Sequence, residues 1–313
     1  MELLFNFGKG FPALSEALTE AGCDLTLNCW QLPNSGRRYA GCIADFAELV
    51  RQPWNAHRLQ QQLARTGGRL IAIDRDAPWH KGLRRRRLWW CSLLKPADVY
   101  ATHSMQGAGR FAAQDVYLPN AAWVSQYNLG TIALSQLRDP TWYRYDVSFL
   151  GNLDAVRFKE HRQRVAFLQQ LEEQLRLRNI SYLFRVAASL PTSAQVDIIQ
   201  HSRINLNYGA AADYGKQRSW GLPERCYGIP ACGGFLLSDA RQHAATDFAL
   251  GTEWVEFSDL ADCVNKIEYF RNNLTAARTV AEAAYAKILA AHTYAHRARQ
   301  LMALLNATAT GPV

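Results

Sequence analysis

The chain has 313 residues, 49% of them hydrophobic and 20% charged, an ordinary globular composition with room for two domains. No apolar run reaches the roughly 18–20 residues of a membrane span, and the first residues, MELLFNFGKG, lack a basic stretch leading into an apolar one. The sequence therefore predicts no transmembrane helix, no secretory signal and a cytoplasmic location. The formal net charge of +8, with a pI near 9.2, points to an anionic partner without choosing among nucleotide, nucleic acid, acidic glycan and membrane surface. The seven cysteines contain no C-x-x-C pair, which speaks against a disulfide framework or a cysteine-rich zinc site.

Taken in order, Glu2–Phe7 reads as a strand and Gly8-Lys9-Gly10 as a turn. Pro12–Ala21 follows as a helix ended by Gly22, and Cys23–Trp30 has strand-like alternation. Such a β-turn-α-β start opens a parallel, helix-covered sheet. Trp54–Arg65 reads as a helix stopped by Gly67-Gly68, and Arg69–Ile73 as a buried strand ending at Asp74. The run Arg84–Arg87 followed by Leu88-Trp89-Trp90 reads as a solvated charged turn entering a buried helix. Its sharper readings are an anchor on anionic membrane or a contact for an acidic acceptor. Asp98–Thr102 and Asp115–Leu118 are further short strands, and Asn120–Arg144, with Pro140, suits a crossover between domains.

A second series starts at Asp146. Strands are expected at Asp146–Leu150, Ile180–Arg185, Arg203–Asn207 and Gly234–Leu237. Helices are expected at Arg157–Arg178, Ser193–His201 and Leu222–Cys232, with three more from Ser258 to about Asn306. Two such series predict two doubly wound α/β lobes, with ligands at the carboxyl ends of the strands and in a cleft between the lobes.

Four ordered stretches carry a family resemblance: Gly221–Asp239 (GLPERCYGIPACGGFLLSD), Phe248–Phe257 (FALGTEWVEF), Asp259-Leu260 and His292–Arg297 (HTYAHR). Their order and spacing resemble the CgeB-like glycosyltransferases, a GT-B-fold group related to the retaining family 4 enzymes. The resemblance covers residues 146–305 well and the N-terminal half only in outline. It implies an acceptor-side lobe over 1–125, a nucleotide-sugar lobe over 140–295, and a closing helix and tail over 296–313. It also implies metal-independent transfer of a sugar from a nucleotide-diphosphate donor; relatives in bacteria decorate proteins, glycans and spore surfaces.

The residues themselves offer what a nucleotide diphosphate needs: cations, an acidic group for the ribose hydroxyls, and glycines where backbone approaches ligand. Lys216, Arg218, Glu224, Arg225, Gly233 and Gly234 fall within twenty residues of two strand ends, and Gly151, Asn152 and Arg157 follow the Asp146–Leu150 strand. In related families the ribose ligand is an acidic residue four places before the Cys of A-C-G. Here that position is Gly228, and Glu224, one helical turn earlier, shares its face. Asp74, Asp76 and His80, at and beyond a strand's carboxyl end, are candidates to deprotonate or position an acceptor hydroxyl. Asp74-Arg75-Asp76 is the nearest approach to a D-x-D metal clamp. Two rival readings stay open: a non-catalytic nucleotide- or sugar-binding protein on a degenerate GT-B scaffold, and a nucleic-acid binder using Arg84–Arg87.

Overall fold

Short apolar runs become parallel strands with helices on both faces, because a strand buried on two sides needs side chains that tolerate burial on both. The computed structural model describes residues 1–33, 36–75, 83–106, 108–156, 161–209 and 220–307. It divides into two units: Met1–Pro119 together with Tyr294–Val313, and Asn120–Thr293. No helix among the described residues is long and apolar enough to cross a membrane.

Unit 1 holds β1 (Glu2–Asn6), β2 (Asp24–Leu27), β3 (Gly41–Asp45), β4 (Arg69–Asp74), β5 (Ala97–Thr102) and β6 (Ala112–Tyr117). They form one parallel sheet in the order β2-β1-β3-β4-β5-β6. Its helices are α1 (Pro12–Glu20), α2 (Phe46–Arg51), α3 (Pro53–Arg65) and α4 (Arg85–Leu94). Pro12 and Pro53 sit where a missing N–H costs nothing. The Asp45 carboxylate caps α2 by accepting from the N–H groups of Ala47 (2.7 Å) and Glu48 (3.3 Å). Leu4, Cys42, Ala44, Leu70 and Ala72 face a core shared with Leu49, Leu59, Leu63 and Cys91 of the helices. The alternate positions Leu3, Phe5, Ile43 and Ile71 are equally buried on the other face.

Unit 2 holds β7 (Tyr145–Gly151), β8 (Tyr182–Val186), β9 (Ser202–Asn207), β10 (Leu236–Asp239) and β11 (Val255–Phe257), all parallel, in the order β11-β10-β9-β7-β8. Its helices are α5 (His161–Leu177), α6 (Thr192–Gln200), α7 (Arg225–Ala231), α8 (Ala244–Asp247), α9 (Leu260–Asn272) and α10 (Leu274–Ala291). One core joins Val147, Phe149, Ile204, Leu206 and Leu237 to α5, α9 and α10; a second joins Leu150, Ile199 and Leu236 to α7. The last helix, α11 (Tyr294–Asn306), belongs to unit 1, where it packs on α1 and β4 and its Leu304 carbonyl accepts from Arg69 Nη1 at 2.7 Å.

Two doubly wound parallel-sheet units are what the alternating pattern predicts. The sequence reading misses β3 and α2 altogether, and it starts α7 three residues early. It expects a buried helix after Arg84–Arg87, yet α4 buries only Cys91 fully and leaves Trp89 57% exposed.

Gly41 shows how tightly α11 is seated. A Cβ there would lie 2.3 Å from the Arg69 carbonyl oxygen and 2.5 Å from Leu305 Cδ2. Gly41→Ala should therefore cost about 2 kcal/mol or more in urea unfolding. A variant as stable as the parent would show that the strand shifts freely and that α11 is loosely held.

Candidate functional site

The strand order of unit 2 reverses between β7 and β9, and such a switch point opens a crevice beyond the carboxyl ends of the two strands. β7 ends there at Gly151. A Cβ on Gly151 would stand 3.0 Å from Arg225 Nη1 and inside van der Waals contact with the Phe149 ring, so glycine is what lets the guanidinium come this close. Arg225, at the start of α7, lies with its Cζ 5.4 Å from the Phe149 ring centre. The residue is half-buried, and its Nη1 is shut off from solvent without a hydrogen-bond partner. Burial pushes its pKa down, as do neighbouring cations such as Arg241.

Arg164, on the first turns of α5, is 4% exposed and ties the two switch-point loops together. Its Nη1 donates to the Asn152 carbonyl (2.8 Å), after β7. Its Nε and Nη2 donate to the carbonyls of Tyr208 (2.9 Å) and Gly209 (2.6 Å), after β9. Burial, and then Arg225 and Arg241 as like charges, push its pKa down to about 9. An anion arriving among these cations would lift it again.

Asp239, at the end of β10, is the carboxylate set against this charge. It takes Nη2 of the fully buried Arg241 at 2.9 Å, Asn207 Nδ2 at 2.9 Å and the Gly209 N–H at 3.0 Å. Arg241 also donates to the Gly221 carbonyl at 2.7 Å. Asn207 is fully buried with its Nδ2 committed to Ser238 and Asp239, and its Oδ1 accepts nothing. Among the described residues, three arginines thus gather around the Asp239 carboxylate, beside an unused N–H donor and an unused carbonyl acceptor. Such a place suits a ligand with anionic oxygens and hydroxyl groups.

Among the residues expected at a donor site, Gly151, Asn152 and Arg225 come together here. Asn152 itself is exposed, and its Oδ1 accepts from the Asp154 N–H at 2.9 Å. Glu224 is exposed one residue before α7. Gly228, the position that is acidic in related families, is buried beneath the Tyr127 ring, whose Cγ would lie 3.6 Å from an added Cβ. Arg157, Lys216 and Arg218 lie outside the described residues.

The expectation that Gly233 and Gly234 border the ligand is corrected. Both precede β10, at the amino end of the sheet and away from the switch point. Added Cβ atoms would collide with Leu137 and Leu129 at Gly233, and with Ile199 and Ile229 at Gly234, at 2.8–3.0 Å. They are packing glycines; Gly233 also adopts φ +76°, which favours a residue without a Cβ.

In unit 1, Asp74 is 6% exposed at the end of β4, and its Oδ2 accepts from Tyr100 Oη at 2.6 Å, which ties β4 to its neighbour β5. Asp74 therefore has one carboxylate oxygen engaged by the Tyr100 phenol. Asp76 and His80 lie outside the described residues. The Gly8-Lys9-Gly10 turn follows β1 at that sheet's own switch point, with Lys9 exposed. The HTY segment is structural: His292 Nε2 pairs with the Asp247 carbonyl at 3.0 Å, Thr293 bridges to Ala122, and Tyr294 packs edge-on against Phe11.

Sequence reasoning misses Arg164, Asn207, Asp239 and Arg241 as site residues. For Arg164 a signal exists: it falls in the stripe of Phe167, Leu168, Leu171 and Leu175, at a position a surface arginine would avoid.

Comparison with known proteins agrees with this architecture. The profile of the glycosyl transferase-like family matches residues 143–303, just over half of the chain, and the chain belongs to that family. Its fold is that of GT-B glycosyltransferases. Sucrose-phosphate synthase from Thermosynechococcus elongatus is 12% identical, with a TM-score of 0.64 over 97% of this chain and 98% of that one. Anabaena HepE, solved with UDP and glucose, is 13% identical, with a TM-score of 0.62 over 98% and 100%. A glycosyltransferase from Rickettsia africae is 8% identical, with a TM-score of 0.63 over 99% of both chains. None of the curated proteins matches the sequence significantly.

Replacing Asp239 takes from the fully buried Arg241 the carboxylate that it pairs with at 2.9 Å. Asp239→Asn should lose about 3–5 kcal/mol of stability in urea unfolding. Parent-like unfolding would mean that the remaining partners of Arg241, the Gly221 carbonyl among them, suffice and that Asp239 is not the centre of the site.

Proposed function

We propose that the protein is a glycosyltransferase that takes its sugar from a nucleotide-diphosphate donor, held by unit 2 beyond the carboxyl ends of β7, β9 and β10. The observation that carries this is the gathering, among the described residues, of Arg164, Arg225 and Arg241 around Asp239, with Arg225 Nη1 buried and unused. The donor diphosphate brings negative charge to these cations. Arg225 donates to its oxygens, Gly151 allows the approach, and Arg164 keeps the Asn152 and Gly209 backbones in place around it. Asn207 Oδ1 is an acceptor for a donor hydroxyl. Glu224 is assigned to the ribose in place of the position filled by Gly228, and Arg157, Lys216 and Arg218 are assigned to the phosphates on sequence grounds.

In the reaction the bond from the sugar's anomeric carbon to the phosphate oxygen breaks, and the diphosphate leaves with the electron pair. The acceptor hydroxyl oxygen forms the new bond and gives up its proton to a base on the acceptor side or to an oxygen of the departing diphosphate. Arg225 stabilises the charge that develops on the leaving group, so that in this reading cationic side chains do the work a metal does elsewhere. Asp76 and His80 remain the candidates on the acceptor side. A uridine nucleotide is the first donor to try, because HepE of similar fold was solved with UDP and with UDP-glucose. The four sequence stretches quoted above support the CgeB-like group within the family.

The test is a thermal-shift series with UDP, GDP, dTDP and CMP and their common sugars. At about 100 times the dissociation constant the right nucleotide should add roughly 2.7 kcal/mol of stability. Arg225→Ala should abolish the shift while leaving the fold intact, and slow release of free sugar from the matching donor should accompany it. No shift with any nucleotide in a folded sample would sink the donor site. A shift without sugar release or transfer would leave a nucleotide-binding protein in place of an enzyme.

A further inference from the structure

α4 departs from the rule that a helix on a sheet hides its apolar residues. It buries Cys91 and turns outward a stripe at four-residue spacing, Arg85, Trp89 and Leu93, with Arg86 beside it. Trp89 and Leu93 are 57% and 62% exposed. The patch extends across α3, where Trp54 is 51% exposed and its ring centre lies 5.4 Å from that of Trp90, itself 4.7 Å from Trp89. Arg58, one turn beyond Trp54 on the same face, is exposed, as are Arg84 and Lys95 at the two ends of α4. Contiguous indole rings and a leucine, rimmed by arginines and a lysine, therefore stand on the surface of unit 1.

We propose that this face of α3 and α4 is a seat for an anionic lipid surface. Indole rings prefer the head-group region, Leu93 is placed to reach the acyl boundary, and the cations meet lipid phosphates. The chemistry selects lipid over nucleic acid, because neighbouring apolar side chains stand where a phosphate backbone would need donors. It selects lipid over an acidic protein because large apolar side chains, Trp54, Trp89 and Leu93, are exposed among the cations rather than further polar donors. The inference stands apart from the transferase reading and survives its failure.

The experiment is flotation of the full chain with vesicles of equimolar phosphatidylglycerol and phosphatidylcholine, against pure phosphatidylcholine. Binding should require phosphatidylglycerol and fall steeply with added salt. Arg85→Gln with Arg86→Gln should weaken it by roughly fivefold per arginine removed. Trp89→Ser with Leu93→Ser should reduce it at least about tenfold, since the indole and isobutyl groups would then stay in water. All four positions are exposed, so melting temperatures and any nucleotide-induced shift should stay at parent values, separating this test from that of the donor site. Equal binding to neutral vesicles, no flotation at low salt, or parent-like binding by the Trp89/Leu93 variant would overturn the proposal. So would tighter binding to a DNA duplex than to vesicles. A dimer of the parent that Trp89→Ser dissociates would also overturn it, by assigning the face to a second copy.

Discussion

Among the described residues, buried guanidinium groups outnumber carboxylates at the carboxyl end of the unit 2 sheet. A guanidinium removed from water must find oxygens or counter-charge; Arg241 takes Asp239, and Arg164 and Arg225 lie close enough to feel it. That need explains the local structure. Arg164 turns to backbone carbonyls, which fixes the loops after β7 and β9, and Arg241 adds the Gly221 carbonyl to Asp239. Arg225 is left with an unused N–H, beside a strand end where Gly151 leaves room. The crevice is shaped by unmet electrostatic demand more than by apolar packing.

How much of this can be read from the sequence depends on whether one residue type serves one purpose. The strands β1 and β4 are legible because burial on both faces demands continuous apolar runs, and β7 and β9 because apolar residues recur at every second position. β3 is not, since Gly41–Asp45 is a short run whose preceding loop offers no periodicity, and its glycine is needed for the Arg69 carbonyl and Leu305. Gly151, Gly233 and Gly234 look alike in sequence. Only the structure separates the one that faces a cation from the two that face leucines and isoleucines. Arg225 is singled out because its motif is recognisable, whereas Arg164 and Arg241 hide among a chain's many arginines. Asp74 is placed correctly at a strand end, but the phenol of Tyr100, which claims its carboxylate, is remote in sequence.

The segment matched by the family profile and the units of the structure do not coincide. The profile starts at residue 143. Tyr127, which covers Gly228, and Leu129, Leu134 and Leu137, which surround Gly233, come before it and are part of unit 2. The profile ends inside α11, which is part of unit 1. Sequence likeness here follows a stretch of chain that coincides with neither core.

That path has a consequence for how the protein is made. Unit 2 is contiguous, from Asn120 to Thr293, whereas unit 1 takes its first 119 residues and then waits for α11. On the ribosome, unit 1 emerges first, yet the layer where Ala298, Leu301 and Leu305 are buried stays open until the chain has been made through Asn306. Unit 2 can therefore close before unit 1 does, reversing the usual N-terminal-first order. During that interval the α1 and β4 surface that α11 later covers is exposed, and it is the part of the nascent chain most in need of a chaperone.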